Sequence, residues 1–234
     1  MELKVLTASN LKLILKNKIV WAYIILFGLF VLGSKQRIEV YRGTPDMVAM
    51  NYNIYMVYSF FILPFLMGVM FNDKVCRFLP SVILSKLEDE NNHFISQFLA
   101  YICIVMGTFI LANLKLFFSS KIYNGNFLWI FFIKYFLIYG LTLFYYIPLI
   151  MLIWSFSKKF TIMIIGTFLF LLLQIVIKNP YFSVLFTSDT FQSILIQSNI
   201  VFWISRAAFA GIGIFILIHM HKIYNKKDIY GRSL

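Results

Sequence analysis

Nine carboxylates, three histidines and two cysteines are the groups with which this chain could carry out acid–base, metal or nucleophilic chemistry. The acids are Glu2, Glu39, Asp46, Asp73, Glu88, Asp89, Glu90, Asp189 and Asp228. Set against the long apolar runs, none falls in the middle of a run. A proton-coupled carrier or an aspartyl intramembrane protease needs carboxylates at that depth. His219 and His221 stand two apart and so point to different sides of a helix, and the HExxH spacing is missing; they read as solvated residues flanking a span. Cys76 lies in a polar insert and Cys103 in an apolar run, so both read as free thiols. No GxxxxGK[ST] loop is present to cradle nucleotide phosphates. The reading is therefore no catalytic residue, no metal ligand, no cofactor bound by this chain and no enzyme. Uphill work would have to draw its energy from another subunit.

Two cations, Lys134 and Arg206, lie inside apolar runs, and Gln174 is a polar residue within the run 160–177. Lys134 and Arg206 each stand about seven residues from one end of their run, shallow enough to snorkel, although an intramembrane charge also finds a place beside water or a partner. They either reach the interface or line an outward-opening path. Gln174 either lines the same path or bonds a neighbouring helix.

These residues need elements to hold them, and composition dictates which. Of 234 residues, 61% are hydrophobic and 13% charged, against roughly 25% charged in an ordinary soluble domain. Apolar runs of about 20 residues recur, the length at which a helix crosses a hydrocarbon core, and short segments alternating with period two do not. The fold class is an all-α polytopic membrane protein in one transmembrane domain. The expected order is an interfacial helix at 1–17, then spans at 19–40, 53–72, 94–118, 127–156, 160–177 and 200–218. Pro64 should kink the second span or free a carbonyl, and Pro148 should divide or bend the fourth, which is long for one span. Residues 180–198 are apolar but interrupted, the pattern of a re-entrant segment whose freed backbone groups are met by protein or water. Residues 219–234 form a tail. No leader with a small-residue cleavage site is visible, so the first span is expected to do the targeting.

The net charge of +12 accumulates at the ends of the apolar runs, where anionic lipid and topology explain it, and no nucleic-acid module is visible. With the N-terminus inside, the inner segments carry thirteen of the 21 Lys and Arg and the outer ones six, which sets both termini in the cytoplasm. The insert NDKVCRFLPSVILSKLEDENNHF at 72–94 then faces the cytoplasm. Over 74–86 a helical wheel gathers Val75, Phe78, Leu79, Val82 and Ile83 on one face, with Lys74, Arg77, Ser81 and Ser85 opposite. Such a helix lies on the membrane or seats in a partner's groove, and a loop far longer than a simple connection favours docking.

This order of parts resembles the permease subunits of ABC-2 type ATP-binding-cassette exporters, most closely over FNDKVCRFLPSVILSKLEDENNHFISQFLAY at 71–101. The family's proline followed by Ser-Arg is replaced here by Leu87-Glu88-Asp89. The resemblance implies that 74–86 is the coupling helix, with Phe78, Leu79, Val82 and Ile83 as its seat on an ATPase and Arg77, Lys86, Glu88, Asp89 and Glu90 as a polar rim. It implies an outer gate at 180–198, with Pro180, Tyr181 and Asp189 within it. A path lined by Tyr58, Pro64, Phe170 and Gln174, joined by Lys134 and Arg206, would run where two permeases pair through spans two and five.

The implied partners are two copies of a cytoplasmic ABC ATPase that binds ATP and Mg, a second permease forming a homodimer or heterodimer, membrane lipid, and an amphipathic peptide or lipid as substrate. The setting is a bacterial cytoplasmic membrane. Small size and few arginines make the chain similar to permeases that export phenol-soluble modulins or give self-protection against lantibiotics, roles in virulence or immunity. The alternative is a non-transporting membrane sensor or anchor that recruits a cytoplasmic partner through residues 74–90.

Overall fold

The computed structural model describes residues 3–33, 45–68, 91–124, 128–157, 159–177, 179–186, 188–197 and 199–225. These form eight helices, with no strand among the described residues. In chain order they are α1 (Leu3–Leu15), α2 (Lys18–Gly33), α3 (Pro45–Gly68), α4 (Asn91–Asn124), α5 (Leu128–Ser157), α6 (Phe160–Val176), α7 (Ser188–Ile196) and α8 (Ile200–Asn225). Three stretches, Phe94–Leu111, Ile130–Ser157 and Ile200–Met220, are long and apolar enough to cross a bilayer, and Tyr55–Gly68 and Phe160–Val176 are shorter apolar helices.

The helices overrun the apolar runs wherever polar residues continue them. α3 starts at Pro45, earlier than the 53 that hydropathy alone marks, because proline and an acid suit a first helical turn. α4 keeps Asn91, Asn92 and His93 at one end and Lys121 at the other. Its 34 residues amount to a helix about 51 Å long, longer than a hydrocarbon core. α8 continues past 218 to Asn225. The extension of the first span to 40 and the insert at 74–86 lie outside the described residues.

Helix α1 is held by its own polar residues as well as its apolar ones. Leu6, Asn10 and Ile14 make its buried stripe, and α1 packs along α4. Asn10 lies on that stripe because its Nδ2 donates to Ser96 Oγ at 2.8 Å. Asn17 turns the chain between α1 and α2: its Oδ1 accepts the Ile19 N–H at 2.8 Å, capping the new helix.

The core is aromatic, and α5 runs through it. Tyr139 stacks on Phe109 at 4.3 Å, while Tyr55, Phe60 and Tyr135 surround the pair edge-on or tilted. Both prolines lie inside unbroken helices. A proline withholds the N–H that would bond the carbonyl four residues back, which frees the carbonyls of Phe60 and Phe144. The Tyr146 hydroxyl donates to Phe60 O at 3.0 Å, with both residues fully buried. Phe144 O faces α8 closely: a Cβ on Gly213 would stand 2.0 Å from it. Only glycine lets the α8 backbone lie on that carbonyl, in the most extensively packed helix pair among the described residues. Phe202, Arg206, Ala210, Leu217 and Met220 complete the buried stripe of α8, spaced by threes and fours around Gly213.

Candidate functional site

The site is built where regular structure lapses, between the end of α6 and the start of α8. The chain leaves α6 at Ile177, turns about Asn179, runs irregularly through 183–186 and forms the short α7 before α8 begins. Asn179 organises the turn. Its Oδ1 accepts the Tyr181 N–H at 2.9 Å, and its carbonyl accepts the N–H groups of Phe182 and Ser183. Asn199 Oδ1 accepts from Val201 N at 2.5 Å and starts α8. α7 packs against α3 and α5, and Phe191 inserts among Tyr135 and Phe186 at ring distances of 5.6 and 6.2 Å.

Irregular backbone at membrane depth must find its hydrogen bonds elsewhere in the protein. Here it finds them on Arg206, Gln174 and Lys134 of α8, α6 and α5. Arg206, only 1% exposed, donates through Nη2 to Pro180 O and to Ser183 O, both at 2.6 Å. Its guanidinium carbon lies 4.8, 4.9 and 5.3 Å from the ring centres of Phe186, Phe202 and Phe209, within the range of cation–π attraction. Gln174 Oε1 accepts the Val184 N–H at 2.8 Å, and its carbonyl accepts the Ser183 hydroxyl at 3.1 Å. The Ser183 hydroxyl also lies against Leu185 O. Lys134 Nζ donates to Leu195 O at 2.8 Å, at the carbonyl end of α7 where the helix dipole favours a cation.

Arg206, Gln174 and Lys134, on three different helices, thus converge on one segment that contains Pro180 and Tyr181, both partly buried. Asp189 falls in the first turn of α7. The other candidates lie elsewhere. Pro64 is buried in α3, Tyr58 is 58% exposed on that helix, and Phe170 stacks against Tyr146 at 6.3 Å. Arg77, Phe78, Leu79, Val82, Ile83, Lys86, Glu88, Asp89 and Glu90 lie outside the described residues.

Sequence reasoning did not single out Ser183, Tyr146 or Gly213. For Tyr146 a signal existed, since a proline-freed carbonyl calls for a donor, but nothing in the sequence says which hydroxyl answers. Beside the segment, a cleft of about 160 Å³ is lined by Tyr181, Thr190, Ser193, Gln197 and Asn199 together with Pro180, Ile194 and Phe202. It presents amides and hydroxyls but no charge. Among the described residues, no three of His, Cys, Asp and Glu come together to hold a metal.

Fold and site together define an all-helical protein, over its described residues, with helices fit to cross a membrane and an irregular segment bound back onto them. Comparison with family models, with characterised proteins and with solved structures finds no match for the chain.

Proposed function

We propose that the chain is the permease subunit of an ATP-driven exporter of the ABC-2 type. It spans a bacterial cytoplasmic membrane six times with both ends inside, and moves an amphipathic peptide or lipid outward. ATP and Mg are bound by a separate cytoplasmic ATPase, present in two copies, and a second permease completes the enclosure.

The observation that carries this reading is the broken segment 179–197, bound to α5, α6 and α8 ahead of the last long helix. A broken segment ahead of the last span is one of the parts on which the resemblance in the sequence rests. The N-terminal helix packed on α4 adds to it. The exposed apolar face of α6, with Ile162, Ile165, Leu169 and Leu172, and the exposed Tyr58 and Phe65 of α3 offer the second permease a surface.

The proposed work stroke begins at the insert. ATP binding draws the two ATPases together and pushes the helix at 74–86, which leads into α3 on one side and α4 on the other. Those two helices are joined at the end of α3 by the Tyr101 hydroxyl, which donates to Met67 O at 3.1 Å. A push there is therefore delivered to both helices at once.

The test replaces Phe78 and Ile83 with Asp in the tagged chain, expressed in its own cells. Loss of co-purifying ATP hydrolysis, with the chain still in the membrane, is the expected outcome. Unchanged co-purification and turnover would sink the coupling role.

A further inference from the structure

Between Ile177 and α7 the chain has little of the hydrogen-bond ladder that fixes a helix, so its closed position depends on a few side chains. Four backbone points are held: Pro180 O and Ser183 O by Arg206, Val184 N by Gln174, and Leu195 O by Lys134. We propose that these three residues form a latch. Arg206 and Gln174 close residues 179–184 onto α6 and α8, Lys134 ties the end of α7 to α5, and opening at this end of the bundle requires the Arg206 guanidinium to leave the two carbonyls.

Arginine suits the central position because one planar group can serve two acceptors while its faces rest on aromatic rings. Lysine would carry the same charge as a compact point without planar faces to rest on those rings. The stretch before α7 can move alone because side-chain bonds rather than a continuous ladder hold it, while α7 keeps its own ladder and its packing on α3 and α5. α6 and α8 keep their own ladders when it does. The residues that place a charge at this depth thus act on the protein's own backbone, and Arg206 is a positioning residue for the segment. The inference does not depend on the chain being a permease.

The experiment reads accessibility rather than transport. In the full chain, with Cys76→Ser and Cys103→Ala, single cysteines are placed at Val184, which is 1% exposed, and at Phe182, which is 66% exposed. Labelling by a water-soluble maleimide is then timed in lipid nanodiscs. Val184→Cys should label far more slowly than Phe182→Cys. Arg206→Gln should speed Val184→Cys about tenfold or more, equivalent to about 1.4 kcal/mol. Gln174→Leu should act in the same direction, and Arg206→Lys should fall between Arg206→Gln and the parent.

Leu143→Cys, buried in α5, reports whether the bundle is intact. If Arg206→Gln exposes Leu143→Cys as well, the Gln174→Leu result decides the question. The proposal is overturned if Val184→Cys is as reactive as Phe182→Cys in the parent. It is also overturned if Val184→Cys stays protected in Gln174→Leu and in an intact Arg206→Gln protein.

Discussion

Replacing Tyr146 with Phe removes one oxygen and leaves the ring where it packs, edge-on against Phe60 at 4.8 Å. The lost group is the donor to Phe60 O, the carbonyl that Pro64 deprives of its helical partner. Two magnitudes compete. Interhelical hydrogen bonds in membrane proteins average about 0.6 kcal/mol and reach about 1.7, because the reference state also finds partners. A buried carbonyl left without any donor costs about 1–3 kcal/mol. Full burial of both residues and the missing proline N–H favour the second, so Tyr146→Phe should cost about 1.5 kcal/mol.

The decisive step is to repeat the substitution in Pro64→Ala. Alanine restores an N–H at 64 that can bond Phe60 O, so the hydroxyl becomes dispensable and its removal should cost only a few tenths of a kcal/mol, as for a redundant partner. The coupling in the double-mutant cycle is then about 1 kcal/mol. Thermal unfolding of the full chain in mild detergent would show it as a difference of about 2–4 °C between the two Tyr146→Phe effects. Equal losses in both backgrounds would refute the claim that Tyr146 caps a proline-freed carbonyl.

The remaining predictions concern helix packing, the glycine pair read by the same thermal unfolding and Asn10 by amide exchange. Gly213→Ala drives a methyl into the α5 backbone at Phe144 and Tyr145, whereas a Cβ on Gly211 meets nothing within 4 Å. The first should therefore lower stability by about 1–3 kcal/mol, as overpacking does, while Gly211→Ala gains slightly from helix propensity; equal effects would sink the close-approach argument. Asn10→Ala leaves Ser96 without the amide that bonds it and should loosen α1 from α4, seen as faster amide exchange across 3–15 at a cost of about 1 kcal/mol. Unchanged exchange there would mean that Leu6 and Ile14 alone dock the helix.

Much of the helical layout was legible because hydropathy over about 20 residues is a strong signal. The run 127–156 appears as α5 almost end for end, and 160–177 as α6. Pro148 was expected to divide or bend its run, and the structure shows that it does not divide α5. The interruption at 180–198 was legible as a break, since Asn179, Pro180 and the polar residues after them cannot form a span. What Lys134, Gln174 and Arg206 touch was not legible. Arg206 reaches back 26 and 23 residues, Tyr146 reaches 86 and Asn10 reaches 86, and neither period nor composition specifies such partners.

The same physical demand explains these scattered side chains. Without water, each place where a helix stops or a proline intervenes leaves a backbone group that must be met from another element. Phe60 O takes Tyr146, Met67 O near the end of α3 takes Tyr101, Leu195 O near the end of α7 takes Lys134, and Pro180 O and Ser183 O share Arg206. This ordering bears on any path at this end of the bundle. A substrate carboxylate or phosphate would compete with carbonyls that Arg206 already serves, and a charged acceptor makes the stronger, bidentate bond. On the function proposed above, an anion that took over the Nη2 hydrogens would release Pro180 O and Ser183 O together, so its binding and the loosening of the segment would be linked.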